Sequence, residues 1–461
     1  MNDLWRIPVP PYEVQKVALQ MSHARPRWAH FLEQGLGKTL LTLAEFRLLA
    51  DEKKVETLLV VCPNSLKLTW VEEAARAGIE GRAWPDTILN RGMMQAINYE
   101  AILTTSGAAW LRALVESTRV MMVLDESAHI KNPRAKRTRA LLQIAPRCPV
   151  RRLLSGAPMV QGPHDLWAQL RFLDALSYNF FVFRSRFCRM GGWMGKQVIG
   201  VSDELGLRNL LRVWSFRATK AEWTDIPEKI YETRAIEMTG PQKAMYADML
   251  NDFYALICPH QPVHEEKCPT PKEVTAELVI TQLLRLQQIS SGFTMTEGGT
   301  IVRIPGADGK ARIVQEIIDE ATGKVMVVTL YRHSTAFMME QLAAYNPVTI
   351  HGGMKAEELQ AQKRKFNEDD ACRVIVVQVQ AGRYGHTLLG SKESRCATVV
   401  FYENSYSLDA RIQTEDRVHR FGQDRSVVYV DLTSSRVDRA VIRALQHKRN
   451  IATAVMDTAR P

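Results

Sequence analysis

The sequence predicts an α/β protein built of two lobes, each a parallel sheet flanked by helices, joined by a helical connector. Short apolar, β-branched runs alternate with helical patterns in the first part of the chain and again in the last, while the stretch between them loses that alternation. Polar residues stand at the carboxyl ends of these runs, the edge at which parallel sheets bind their ligands. The 461 residues also exceed the roughly 250 to 300 at which a single core stops growing. The expected division is 1–165 for the first lobe, 166–305 for the connector with its insertion, and 306–461 for the second lobe.

A composition 46% hydrophobic and 24% charged is that of an ordinary globular chain rather than a disordered one. The excess of 60 Lys+Arg over 50 Asp+Glu gives a net charge of +10, which favours a polyanionic partner, nucleic acid first, and also fits a basic housekeeping enzyme. Seven scattered cysteines with no Cys-x-x-Cys argue against a disulfide framework and for a reducing compartment. The opening residues lack a basic then apolar leader pattern, and no apolar run approaches the roughly 18 residues that span a bilayer. A soluble, cytoplasmic protein with no membrane partner is expected; protein partners are left unspecified.

In the first lobe Trp28 to Leu32 reads as a strand, Glu33 to Gly37 as a loop, and Lys38 to Phe46 as the start of a helix. A phosphate-binding loop needs this order. Gly35 and Gly37 let backbone N–H groups approach phosphate oxygens, the helix N-terminus favours negative charge, Lys38 reaches the terminal phosphates, and the Thr39 hydroxyl can ligate magnesium. Leu32 stands where the fuller pattern carries its first glycine. Thr57 to Cys62 and Val120 to Leu124 read as buried strands, the second ending at Asp125 and Glu126. An isolated Asp-Glu pair is more often a solvated loop. At the end of a buried strand and paired with Lys38, Asp125 can hold magnesium and Glu126 can orient or activate the attacking water, so phosphoanhydride hydrolysis has its metal and its base.

Residues 166–305 read as helices and loops, including Leu166 to Leu173 and Leu283 to Ile289. Strand-like runs resume at Lys324 to Leu330, Val348 to His351, Arg373 to Val379, Thr398 to Tyr402 and Val427 to Leu432, with a helical pattern at Ala356 to Asn367. Near the far end, Gln413, Arg417 and Arg420 fall at i, i+4 and i+7, which predicts one helix face for all three. Two guanidiniums there could neutralise charge on a transferred phosphoryl group, while a salt-bridged surface helix using Glu415 and Asp416 is the competing reading.

Two further groups stand out. Lys131, Arg134, Lys136, Arg137, Arg139, Arg147, Arg151 and Arg152 form an acid-free basic stretch that could contact a nucleic-acid backbone or could be a solvated helix face. Cys258, His260, His264 and Cys268 could close a tetrahedral zinc site, but the spacing matches no common finger and the flanking prolines fit a surface loop.

Taken in order, these segments resemble the Swi/Snf-like family of superfamily-two helicases and translocases. Pro11 to Gln15 is similar to the family's adenine-reading element, Glu33 to Thr39 to motif I, Val61 to Leu66 with Trp70 to motif Ia, and Asn98 to Glu100 to motif Ib. Asp125 to Asn132 resembles motif II, Ser155 to Pro158 motif III, Arg217 to Lys220 and Leu283 to Gly292 the inter-lobe segment, Lys324 to His333 motif IV, and Gln413 to Gln423 motif VI. The resemblance implies two RecA-like lobes and a motor driven by ATP and magnesium on double-stranded DNA; because nothing in the chain resembles a base-reading module, binding without regard to sequence is expected. It further implies that Gln15 contacts adenine, that Lys38 and Thr39 serve the phosphates and magnesium, that Asp125 and Glu126 form the hydrolytic centre, and that Gln413, Arg417 and Arg420 line the nucleotide from the second lobe. Motif V departs from the family: Ala381 to Leu388 carries Arg383 in place of a second glycine and Thr387 where asparagine is usual. With no room for chromatin-reading modules, a compact bacterial or bacteriophage motor is expected, serving DNA repair, replication or phage DNA metabolism. A strand-separating DNA or RNA helicase and an ATP-insensitive DNA-binding scaffold are the competing readings.

Overall fold

The computed structural model describes residues 4–88, 90–191, 197–257, 276–296, 298–381 and 387–456. They form two compact units, one running to Asp225 and taking up the chain again from His447, the other spanning Ile226–Gln446. Residues 166–225 thus belong to the first unit and 226–305 to the second.

The strands of the first unit are β1 (Arg27–Leu32), β2 (Thr57–Cys62), β3 (Gly81–Ala83), β4 (Met94–Asn98), β5 (Val120–Asp125), β6 (Val150–Leu154), β7 (Cys188–Gly191), β8 (Gln197–Val201) and β9 (Ser215–Ala218). Seven make one sheet in the order β3-β4-β2-β5-β6-β1-β9, every neighbour parallel, and β7 and β8 form a separate antiparallel pair. Because side chains alternate across a strand, β2 sends Leu58, Val60 and Cys62 to one core and Leu59 and Val61 to the other. The first core is completed by Leu43, Phe46 and Leu49 of helix Lys38–Asp51 and Trp70 of helix Lys67–Arg76. On the opposite face lie Leu111 and Leu114 of helix Thr105–Ser117, Leu141 of helix Lys136–Ile144, and Leu166 and Leu170 of helix Leu166–Phe172. Val455 and Met456, at the end of the last helix, Arg436–Met456, complete that core.

Strand β6 escapes sequence reading because two arginines occupy its middle. Arg152 is fully buried and bonds Glu45 through Nη2 at 2.7 Å and Nε at 3.0 Å, with further bonds to the carbonyls of Ser22, Arg25 and Pro26. Arg151 reaches the Phe172 carbonyl at 2.6 Å and Asp174 at 2.5 Å. The basic stretch therefore splits. Arg151 and Arg152 are buried by ion pairing and are withdrawn from any nucleic-acid backbone, while Arg134, Lys136, Arg139 and Arg147 are exposed.

The second unit holds β10 (Lys229–Ala235), β11 (Phe293–Met295), β12 (Ile301–Arg303), β13 (Lys324–Thr329), β14 (Val348–Ile350), β15 (Val374–Gln378), β16 (Cys396–Phe401) and β17 (Val427–Thr433). Six of them make a parallel sheet in the order β10-β17-β16-β13-β15-β14. Helices Gly309–Glu320 and Arg332–Gln341 cover one face, and helix Ala356–Glu368 contributes Phe366 to the core of the other. The expected fold class, two α/β lobes of parallel sheet flanked by helices, is the one the chain adopts.

Candidate active site

The glycine-bearing loop Glu33 to Gly37 leaves β1 at its carboxyl end, between the carboxyl ends of neighbouring β6 and β9. Gly35 at φ 93° and Gly37 at φ 74° take the left-handed conformation that side chains disfavour. Gly37 is also confined sterically, since a Cβ there would lie 2.2 Å from Gln15 Nε2. Gln15 is fully buried; its Nε2 donates to the Gly37 carbonyl at 2.8 Å and its Oε1 accepts from the Tyr12 amide at 2.7 Å. Lys38 opens the helix, its Nζ donating to the carbonyls of Leu32 at 2.9 Å and Glu33 at 3.4 Å, so the ammonium lies folded over the loop. Thr39 follows in the first helical turn.

Asp125 ends β5, two strands away. Its Oδ2 accepts from Trp70 Nε1 at 2.8 Å and its Oδ1 from the Glu126 amide at 3.0 Å, while its carbonyl accepts from the Tyr99 hydroxyl at 2.8 Å. Burial pushes this carboxyl up from its ordinary range; the Trp70 bond, the Lys38 cation and the Glu126 amide oppose it. Glu126 sits at φ 50°, a left-handed conformation that costs a non-glycine residue on the order of 1 kcal/mol and turns the carboxylate off the strand axis. The loop beyond is fastened by Ser127 Oγ, which donates to Gln169 Oε1 at 2.7 Å, and Gln169 Nε2 in turn donates to the Pro158 carbonyl at 2.7 Å. One buried amide thus ties the acidic loop to the turn after β6.

In the second unit, helix Leu408–Glu415 stops before Arg417, so Gln413, Arg417 and Arg420 do not share a helix face. The reason lies in the hydrogen bonds. The Arg417 carbonyl accepts from the Leu388 amide at 3.0 Å instead of from a residue one turn on, and the amides of Arg417, Val418 and Arg420 make short turn-type bonds, with only the His419 amide keeping a helical-span bond, to the Glu415 carbonyl at 3.2 Å. Gln413 is buried with Nε2 on Asp409 at 2.9 Å, Arg417 is buried, and Arg420 is partly buried, its proton affinity lowered by desolvation against the opposing effect of Asp416. The two arginines are therefore presented by a turn.

A match to the SNF2-related domain covers residues 31–291, more than half of the chain. The chain belongs to the SNF2-related family. A match to the helicase conserved C-terminal domain covers residues 309–422 of this SNF2-family chain. It is 26% identical over 471 residues to the ATP-dependent helicase brm of Drosophila melanogaster, with 92% of this chain and 27% of that protein aligned. It is 24% identical over 451 residues to the mouse DNA annealing helicase and endonuclease ZRANB3, with 92% of this chain and 38% of the relative aligned. The chain thus spans well under half the length of these relatives. The Sulfolobus solfataricus SWI2/SNF2 ATPase core in complex with dsDNA superposes with a TM-score of 0.43 at 22% identity, covering 98% of this chain and 94% of that one.

Within this SNF2-family site the oxygen donors of Asp125 and Thr39 are of the hard type that suits magnesium, which keeps several of its waters. The zinc candidates Cys258, His260, His264 and Cys268 lie outside the described residues, as do 382–386 of the altered motif V. Sequence reasoning missed the supporting layer: the Trp70 bond to Asp125, Gln169, and on β10 the pair Lys229 and Tyr231. Trp70 stands within a segment the motifs mark; the other three carry no local signal.

Proposed function

We propose that this SNF2-family chain is an ATPase that moves along double-stranded DNA, using magnesium and gripping the backbone without regard to base sequence. The observation that carries the proposal is the first-unit centre, in which Lys38, Thr39, Asp125 and Glu126 stand on the carboxyl edge of one parallel sheet. Gln15 reads the adenine from beside Gly37, Lys38 neutralises the terminal phosphates, Thr39 and Asp125 hold magnesium, and Glu126 orients the attacking water. Arg417 and Arg420 neutralise charge on the transferred phosphoryl group, and Gln413 contributes to binding the nucleotide. The net charge of +10 and the exposed Arg134, Lys136 and Arg139 support a polyanionic track. A place in DNA repair, replication or phage DNA metabolism is part of the same proposal. The name of the relative ZRANB3, a DNA annealing helicase, fits work at repair or replication structures.

Phosphate release measured with duplex, single-stranded and forked DNA and with RNA, for wild type and Glu126→Gln, tests the reading. Stimulation by duplex that Glu126→Gln abolishes supports it. Preference for single strands together with strand displacement would favour a strand-separating helicase, and hydrolysis indifferent to every nucleic acid would end the motor reading.

A further inference from the structure

We infer that Lys229 and Tyr231, on the first strand of the second unit, are positioning residues for the arginine-bearing turn; this rests on the reading of Arg417 and Arg420 as phosphate-facing groups. Among the described residues β10 pairs only with β17, and most of its side chains are exposed, so it contributes little core. What it contributes is polar. Lys229 Nζ lies 3.1 Å from Glu415 Oε2 and 3.2 Å from Asp416 Oδ1, and the Tyr231 hydroxyl donates to Glu415 Oε2 at 2.8 Å. Just upstream, the Pro227 carbonyl meets the His419 ring nitrogen at 2.8 Å. The short run 227–231 thus holds three residues of the turn, at 415 and 416 before Arg417 and at 419 before Arg420.

The turn leans on such anchors because its own backbone bonds are mostly short ones, with a single helical-span bond from the His419 amide to the Glu415 carbonyl at 3.2 Å. Glu415 is gripped from every side: by Lys229 and Tyr231 on Oε2, by Arg411 Nε on Oε1 at 2.7 Å, and by the Tyr429 hydroxyl on its carbonyl at 2.9 Å. Tyr231 stacks on Tyr429 at 5.4 Å, which fixes both hydroxyls. Lys229 bridges two adjacent carboxylates, both almost wholly buried, and its own proton is held well above the ordinary lysine range, desolvation being outweighed by Asp416 and Glu415. Loss of the Tyr231 hydroxyl removes one charge-assisted bond while leaving the ring stack; loss of Lys229 removes the cation that Glu415 and Asp416 share.

The test compares the full chain carrying Tyr231→Phe, Lys229→Arg, Lys229→Met and Arg420→Ala with wild type, reading DNA-stimulated kcat, KM for ATP, binding of a non-hydrolysable ATP analogue and thermal unfolding. For Tyr231→Phe we expect kcat about tenfold lower, on the scale of one hydrogen bond to a charged group, with KM and analogue binding unchanged and the unfolding midpoint lowered by only a few degrees. Lys229→Met should fall further and Lys229→Arg should recover part of the loss; should Lys229→Met fail to fold, Tyr231→Phe decides alone. Wild-type kcat in Tyr231→Phe beside an inactive Arg420→Ala would overturn the positioning role and leave the phosphate-facing arginines standing. A Tyr231→Phe that loses unfolding temperature and analogue binding together would show a merely structural role. Wild-type kcat in Arg420→Ala would remove the reading of the arginines and this inference with it.

Discussion

Glu126 shows how a single backbone choice makes a carboxylate available for chemistry. A residue continuing β5 would point its side chain into one of the two cores; the left-handed φ of 50° instead breaks the strand immediately after Asp125. Replacing Glu126 by Gln keeps the shape and removes the proposed base, so on that proposal DNA-stimulated hydrolysis should fall by about 10² to 10⁴ while ATP binding persists, as single-turnover assays and nucleotide titration would read. At Gly37 conformation and space act together, because an added Cβ meets Gln15 Nε2 at 2.2 Å in a conformation side chains already resist. Gly37→Ala should therefore weaken ATP binding by tenfold or more, as a calorimetric titration would measure, and a wild-type dissociation constant would show that Gln15 does not brace the loop.

At the scale of elements, β1, β6 and helix Lys38–Asp51 are fastened by a cluster in which His30, Glu45 and Arg152 are all fully buried. Breaking one partner of such a pair leaves a buried charge alone, so Arg152→Ala should cost about 3–5 kcal/mol in chemical denaturation. The cluster also sets a pH dependence. Burial, chiefly, holds the His30 imidazole below its ordinary 6.5, and the Arg152 cation and His30 hold Glu45 below its ordinary 4.5 against desolvation. In both cases the unfolded chain takes up protons first as pH falls, so stability is complete above about 6.5 and drains away below it. His333 in the second unit, held down to about 4 by burial, acts in the same direction. Thermal melts should show the midpoint falling steadily from pH 7 to pH 5, and His30→Gln should flatten the upper part of that fall. Elements with unbroken apolar runs, such as β2, β5, β13 and β15, were legible in the sequence because periodicity records burial directly. β6 was not, because a buried ion pair looks from sequence like a solvated one. The predicted helix face of Gln413, Arg417 and Arg420 failed for a related reason: the carbonyl taken by Leu388 belongs to a pairing of distant segments.

At the scale of the molecule, the chain leaves the first unit at Asp225 and re-enters it at His447, so the last turns of helix Arg436–Met456 are part of the first core. Val455→Ala with Met456→Ala should destabilise that unit by a few kcal/mol, since burying such side chains is worth about 1.5–3 kcal/mol each. All nine tryptophans lie at or before Trp223, so tryptophan fluorescence would report this loss from the first unit alone. If the proposed DNA track runs over them, Arg134→Ala, Lys136→Ala and Arg139→Ala together should weaken duplex binding and reduce the slope of log affinity against log salt by about 0.9 for each phosphate that the variant no longer neutralises. An unchanged slope would place the track elsewhere.

By itself the sequence determined the two α/β lobes, the order of the motifs, and the residue types at the proposed nucleotide centre. These follow from local chemistry: apolar periodicity, glycines where φ is positive, a lysine at a helix start and acids at a strand end. Only the tertiary structure decided which basic residues are buried, where the last helix ends up, that Arg417 and Arg420 ride on a turn, and that Trp70 bonds Asp125, Gln169 bonds Ser127, and Lys229 and Tyr231 bond Glu415. Each of these depends on a partner far away in the chain, and a hydrogen bond or ion pair between distant residues leaves no period in the sequence.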